Sequence, residues 1–187
     1  MGETAPTQDL RLRQTVVLIG MMGAGKTAVG KALALRLGVE IRDSDAEIVE
    51  SARLSIAEIF ERYGETFFRE KETQVIARLL YGPPCILSTG GGAWMSEENR
   101  AQLTASACVL WLRADLDLLW QRVRHKTTRP LLQTDDPRAT LAGIHDKRAP
   151  IYALAPHVVH VQPNWSIEET AARVMEALIA AGAVERI

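Results

Sequence analysis

Lys26 and Thr27 close the run Gly20-Met21-Met22-Gly23-Ala24-Gly25-Lys26-Thr27, directly after the apolar stretch Val16–Ile19. The spacing G-x-x-x-x-G-K-[ST] after a buried strand is that of a phosphate-binding loop. Glycines at these positions, with Ala24 between them, let the backbone coil into a nest of N–H groups around an anion. A helix opening near Lys26 adds its dipole and unpaired N-terminal donors. Lys26 can then reach the β- and γ-phosphates, and the Thr27 hydroxyl is placed to ligate Mg²⁺. An apolar stripe, Val29, Leu33 and Leu37, continues the helix. The expected ligand is a nucleoside triphosphate.

Two more segments carry chemistry. Asp43-Ser44-Asp45 sets two carboxylates one residue apart, and an extended backbone would point both the same way. One could hold Mg²⁺ and the other could accept a hydrogen bond or proton from an acceptor hydroxyl. An aspartate at a helix start is also a common cap, so that reading stays open. Ser88-Thr89-Gly90-Gly91-Gly92 follows a short apolar run and has no acidic residue where many phosphate-loop proteins carry one. That gap moves the metal role toward Asp43, and the glycines allow close approach of backbone to a ligand. Arg69, three residues before Glu72, can be a surface ion pair or a guanidinium held for a substrate carboxylate. Arg129 and Arg148 complete the set, although spacing alone does not bring the arginines together.

The elements needed to position these residues alternate along the chain. Strands are expected at Val16–Ile19, Val39–Arg42, Cys85–Leu87, Ala107–Leu112 and Val158–Val161. Helices are expected from Lys26 to about Leu37, capped by Gly38, then at Ala46–Ala52, Ser55–Tyr63 and Thr66–Tyr81. Ser55 with Glu58 forms a capping box, Ser96 and Asp115 cap two further helices, and the last two run to about Tyr152 and Ala181. The result is a three-layer α/β fold with a mainly parallel sheet of about five strands and helices on both faces. Ligands of such a sheet lie at the carboxyl ends of its strands, where the glycine and aspartate segments fall. Residues 1–14 show no period and are expected to be a flexible tail; residues 15–187 form one domain, in which the polar stretch 124–137 suits a mobile lid.

With 187 residues, 47% hydrophobic and 24% charged, the chain suits one globular domain. A net charge of −1 argues against nucleic acid as a partner. Cys85 and Cys108 sit in apolar runs and read as core residues of a reducing compartment. No stretch has the length of a membrane span, and no signal-peptide core or myristoylation pattern is present. A cytoplasmic monomer without a membrane partner is expected.

Taken together, GMMGAGKT, DSD, FFREKE, TGGG, RPLL and KRAPIY, in this order, resemble the shikimate kinases. The resemblance spans about Thr15 to Leu178. It implies a phosphate-loop kinase fold and ATP-dependent phosphorylation of the 3-hydroxyl of shikimate, with Mg²⁺ as cofactor. By the resemblance, Gly23–Thr27 hold ATP, Arg122 stacks near the adenine, and Arg129 is a lid arginine reaching the phosphates. Thr27 and Asp43 serve the metal. Asp45 meets the shikimate hydroxyls and is the candidate base. Arg69 and Arg148 clamp the carboxylate, Gly91 and Gly92 contact ring hydroxyls, Glu72 orients Arg69, and Phe60 and Phe68 wall the ring. Glu40, Arg42 and Trp94 depart from the apolar or smaller residues usual at their positions. A gluconate- or nucleotide-type kinase would share the loop but lack the arginine clamp. A GTPase would need Asn-Lys-x-Asp and Asp-x-x-Gly motifs, which do not occur.

Overall fold

The computed structural model describes residues 9–127 and 129–187. Two strands are central. Val16–Ile19 has all four residues buried, and Cys108–Arg113 has five buried of six. Such unbroken apolar runs suit strands covered on both faces. In chain order the strands are β1 (Leu10–Leu12), β2 (Val16–Ile19), β3 (Ile41–Asp43), β4 (Ile86–Ser88), β5 (Cys108–Arg113), β6 (His157–His160) and β7 (Val184–Arg186). The helices are α1 (Lys26–Leu37), α2 (Ser44–Ala52), α3 (Ile56–Leu80), α4 (Glu97–Ser106), α5 (Leu116–Val123), α6 (Pro137–Tyr152) and α7 (Ile167–Ala180).

Strands β3-β4-β2-β5-β6 form one five-stranded sheet, parallel throughout. The chain leaves β2 toward β3 on one side and later crosses from β4 to β5 on the other. Right-handed crossovers in opposite directions lie on opposite faces, which puts α1 and α4 on different sides of the sheet. Helix α1 accordingly packs on α7, while α3 packs on α4 and α5 on α6. The reversal at β2 opens a cleft at the carboxyl ends of the central strands.

Local chemistry accounts for most boundaries. Gly38, at φ 62°, receives the end of α1, and the Ser55–Glu58 capping box starts α3. Helix α3 breaks at Gly64, whose φ of 82° and ψ of 173° lie outside helical space, so its two halves are the two expected helices. Cys85 and Cys108 are buried and unpaired.

Other expectations need correction. Of the expected tail, residues 1–8 lie outside the described residues. Leu10–Leu12, however, pairs antiparallel with Val184–Arg186 in a second, two-stranded sheet, and Leu12 is buried. The strand expected at Val39–Arg42 begins two residues later, because the N–H of Val39 is taken by the carbonyl of Ala34 at the end of α1. Asp115 stands at the start of α5 without making a cap bond; it meets His160 Nε2 at 2.9 Å instead. Glu40 and Arg42 sit at the sheet edge, where Arg42 pairs with Glu40 at 2.8 Å and with Glu47 at 3.4 Å. Charges on an edge strand discourage pairing with other chains, which explains their departure from apolar residues.

Candidate active site

The phosphate loop is shaped by its glycines. Gly25 has φ 101°, a left-handed conformation that side-chain-bearing residues rarely adopt, and from it α1 begins. Lys26 Nζ donates to the carbonyls of Gly20 at 2.8 Å and Met21 at 3.1 Å, folding back over the loop. Burial, then the nearby Arg129 guanidinium, lower the Lys26 pKa to about 8, against the pull of Asp45 and Asp43. An anion in the loop would reverse that shift. Arg122 on α5 donates through Nη1 to the carbonyls of Gly23 at 3.0 Å and Ala24 at 3.3 Å. It therefore braces the loop from α5.

Asp43 ends β3 and caps α2, its Oδ1 accepting from the N–H groups of Asp45 at 2.9 Å and Ala46 at 3.1 Å. The backbone turns helical at Ser44, so the two aspartates are not on one extended strand as expected. The cap nonetheless leaves Asp43 and Asp45 lining the same cavity. Burial raises the Asp45 pKa most, and the Asp43 charge adds to it; Lys26 and Arg69 oppose both. Ser44 is fully buried, and its Oγ accepts from the N–H of Gly90 at 3.3 Å, joining the aspartate segment to the glycines.

The three glycines give the site its shape. A methyl group on Gly90 would lie 2.7 Å from Asp45 Oδ1, one on Gly91 2.7 Å from Arg148 Nη1, and one on Gly92 2.6 Å from Arg69 Nη2. None of the three has a left-handed φ, so space and not backbone conformation selects glycine here. Each glycine seats one charged side chain, bringing a carboxylate and two guanidinium groups to a single turn. The family resemblance implies ring-hydroxyl contacts for Gly91 and Gly92 and no role for Gly90; seats of this kind are visible only in three dimensions.

Arg69 is held from its own helix. Its Nη1 bonds Glu72 Oε2 at 2.9 Å, and its Nε faces the exposed Glu65 at 3.6 Å. Glu72 is 1% exposed; burial pushes its carboxyl up while the Arg69 bond pulls it down. A buried carboxylate with one strong guanidinium partner fixes that partner's direction. The Phe60 and Phe68 rings pack 4.8 Å apart, and Arg69 Cζ lies 5.2 Å from the Phe68 centroid.

Every residue singled out from sequence lines one cavity of about 1300 Å³: Gly23, Ala24, Gly25, Lys26, Thr27, Asp43, Asp45, Arg69, Gly91, Gly92, Arg122, Arg129 and Arg148. Single drug-sized ligands occupy roughly 300–1,000 Å³, so this space suits two substrates side by side. Arg129 enters beside the 3₁₀ turn Pro130–Leu132, and among the described residues its buried Nε has no hydrogen-bond partner. Sequence reasoning missed Trp165, Ile167 and Thr170, which line the cavity from beyond β6. The strand-end rule, applied to the last strand of the sheet as well, would have found them.

Thr27 and Asp43 offer oxygen ligands in the same cavity, and no group of three or more His, Cys, Asp or Glu that could hold a metal occurs among the described residues. This fits Mg²⁺, which is held by one or two protein oxygens with phosphate and water completing its shell.

Known proteins resemble the chain as a whole. The family model for shikimate kinase matches residues 22–179. The shikimate kinase of Ruegeria pomeroyi is 58% identical over 167 residues, covering 89% of this chain and 86% of its own. That of Cereibacter sphaeroides is 58% identical over 168 residues, covering 90% and 84%. Among solved structures, the shikimate kinase from Acinetobacter baumannii in complex with shikimate superposes with a TM-score of 0.83 at 34% identity, covering 96% of both chains. The family model over residues 22–179 and relatives 58% identical across most of the chain mean that it belongs to the shikimate kinase family, which phosphorylates shikimate with ATP.

Proposed function

We propose that Asp45, Lys26 and Arg129 carry out this transfer at the 3-hydroxyl, with shikimate held by Arg69 and Arg148 against the glycine turn. The products are shikimate 3-phosphate and ADP, on the route to chorismate and the aromatic amino acids. The observation that carries the reading is the glycine turn. It seats two guanidinium groups, suited to a carboxylate, beside one carboxylate suited to a hydroxyl, in the same cavity as the phosphate loop.

In this reading Gly23–Thr27 cradle the ATP phosphates, with Arg122 bracing the loop and lying toward the base. Thr27 and Asp43 would hold Mg²⁺, whose charge offsets that of the β- and γ-phosphate oxygens. The 3-hydroxyl oxygen attacks the γ-phosphorus in line. The bond to the bridging oxygen breaks, the electron pair leaves with ADP, and Asp45 accepts the hydroxyl proton. Lys26 and Arg129 offset charge on the equatorial oxygens. The segment 124–137 closes as a lid over the cleft of a single kinase domain, excluding water as a rival nucleophile. The enzyme works as a cytoplasmic monomer; no helix among the described residues is long and apolar enough to cross a membrane.

The test is ADP release by the purified chain with ATP and Mg²⁺, alone, with shikimate, and with gluconate as a polyhydroxy acid of different shape. Turnover that depends on shikimate and not on gluconate is expected. Equal rates with and without shikimate would overturn the reading in favour of a simple nucleotide hydrolase.

A further inference from the structure

Trp94 is the bulky residue after the glycines whose presence the mechanism does not use. It is 1% exposed, and a buried indole N–H requires an acceptor. Its Nε1 donates at 2.8 Å to the carbonyl of Ile151, in the last turn of α6 and three residues beyond Arg148. Tyr152, four residues beyond Arg148 and so on the same helix face, is fully buried. Its ring stacks on Trp111 of β5 at 5.8 Å, and its hydroxyl donates to the carbonyl of Gly91 at 2.6 Å. Bonds therefore cross between turn and helix in both directions, one from each partner.

The turn itself is anchored from elsewhere. Asn99 Nδ2 donates to the carbonyl of Ala93 at 3.0 Å, and Thr73 Oγ1, next to Glu72, donates to Asn99 Oδ1 at 2.8 Å. Arg100 Nη1 donates to the carbonyls of Trp94 and Met95, each at 2.9 Å. These contacts fix the turn to α3 and α4 and leave α6 as the element whose placement needs setting. Helix α6 emerges from the segment 124–136, and Pro150 within it supplies no N–H to the carbonyl of Asp146. A helix that carries a substrate-holding arginine and follows directly on a lid requires a fixed point at its far end.

We propose that Trp94 and Tyr152 are positioning residues that lock the carboxyl end of α6 to the glycine turn and so hold Arg148 over Gly91, setting affinity for the substrate carboxylate. The inference rests on the reading of Arg148 as a carboxylate clamp. It is distinct from a packing role, because packing needs the two rings while the lock needs their polar tips. The Arg148 guanidinium beside the Tyr152 hydroxyl eases its ionisation against the upward push of burial, as expected for groups in close contact. Trp94 is then no accident of bulk; a smaller apolar residue would fill part of the space and leave the Ile151 carbonyl without this donor.

The test compares Trp94→Phe, Tyr152→Phe and Arg148→Ala with the wild type by measuring dissociation constants for shikimate, its carboxamide and ATP, and the melting midpoint. Wild type should bind shikimate far more tightly than the carboxamide, and Arg148→Ala should erase most of that preference. Trp94→Phe and Tyr152→Phe should each weaken shikimate about three- to tenfold, the range of one hydrogen bond. The carboxamide and ATP constants should hold, so that the preference shrinks by the same factor. If Arg148→Ala keeps the preference, the clamp reading itself falls. If Arg148→Ala erases it while both phenylalanine variants keep the wild-type ratio, the lock is refuted and the clamp stands. Weakening of all three ligands alike in the phenylalanine variants would also refute the lock, leaving a role in stability alone.

Discussion

Asp45→Asn is expected to lower kcat by about 10²–10⁴-fold, the usual contribution of a positioned acid–base group, with ATP affinity unchanged. Asparagine keeps the size of the side chain and one acceptor oxygen but not the negative charge. Asp45 is set apart by its surroundings: burial and the Asp43 charge raise its pKa, while Lys26 and Arg69 partly offset them. A carboxylate made more basic in this way accepts a hydroxyl proton more readily as charge moves onto the γ-phosphoryl group. The sign of the pH effect follows. The raised pKa means that Asp45 protonates at higher pH than an ordinary aspartate near 4, so wild-type kcat should start to fall on acidification above that value. The acid limb should vanish in the variant. Loss of ATP binding in Asp45→Asn would contradict the role; a higher shikimate KM with kcat preserved would reduce Asp45 to an orienting group.

Arg129→Ala should cost about 10³-fold in kcat, the lower range for an arginine that offsets charge in phosphoryl transfer. The melting midpoint should stay near that of the wild type, because Arg129 has no ion pair among the described residues. Its buried Nε has no hydrogen-bond partner among the described residues. An unpartnered polar group is costly when buried, and the cost is recovered when a ligand supplies the acceptor. Arg129 also depresses the pKa of Lys26, so its removal should let Lys26 keep its proton to higher pH. Kinetics with saturating ATP and shikimate, beside thermal melting, check both points. Near-wild-type kcat would remove Arg129 from the transfer step.

Much of this fold was legible because its central strands are continuous apolar runs and its helices carry their own caps. Val16–Ile19, the Ser55–Glu58 box and Gly38 are local signals that tertiary structure did not overrule. Strands β1 and β7 were not legible: each has three residues and exists through pairing with a segment far away in sequence. The start of β3 was misjudged because the end of α1 claims the N–H of Val39 through the carbonyl of Ala34, a contact that the residue types do not announce. The residues lining the site could be chosen by type and by position after a strand. Their mutual arrangement could not, since it depends on Cβ-sized spaces at Gly90, Gly91 and Gly92. The choice between cap and site for Asp43 proved false, because one carboxylate oxygen caps α2 while the residue lines the cavity.

Each of the three glycines seats a different charged side chain, Asp45 at Gly90, Arg148 at Gly91 and Arg69 at Gly92. Steady-state kinetics of Gly90→Ala, Gly91→Ala and Gly92→Ala test it directly, because all three positions accept alanine in the backbone and differ only in what the methyl group meets. Gly90→Ala, displacing Asp45, should act mainly on kcat. Gly91→Ala and Gly92→Ala, displacing Arg148 and Arg69, should act mainly on the KM for shikimate. Losses of up to about 10²-fold are expected, the effect of moving a positioned group by about an ångström. Wild-type kinetics in all three, or one common loss without that division between kcat and KM, would contradict the account.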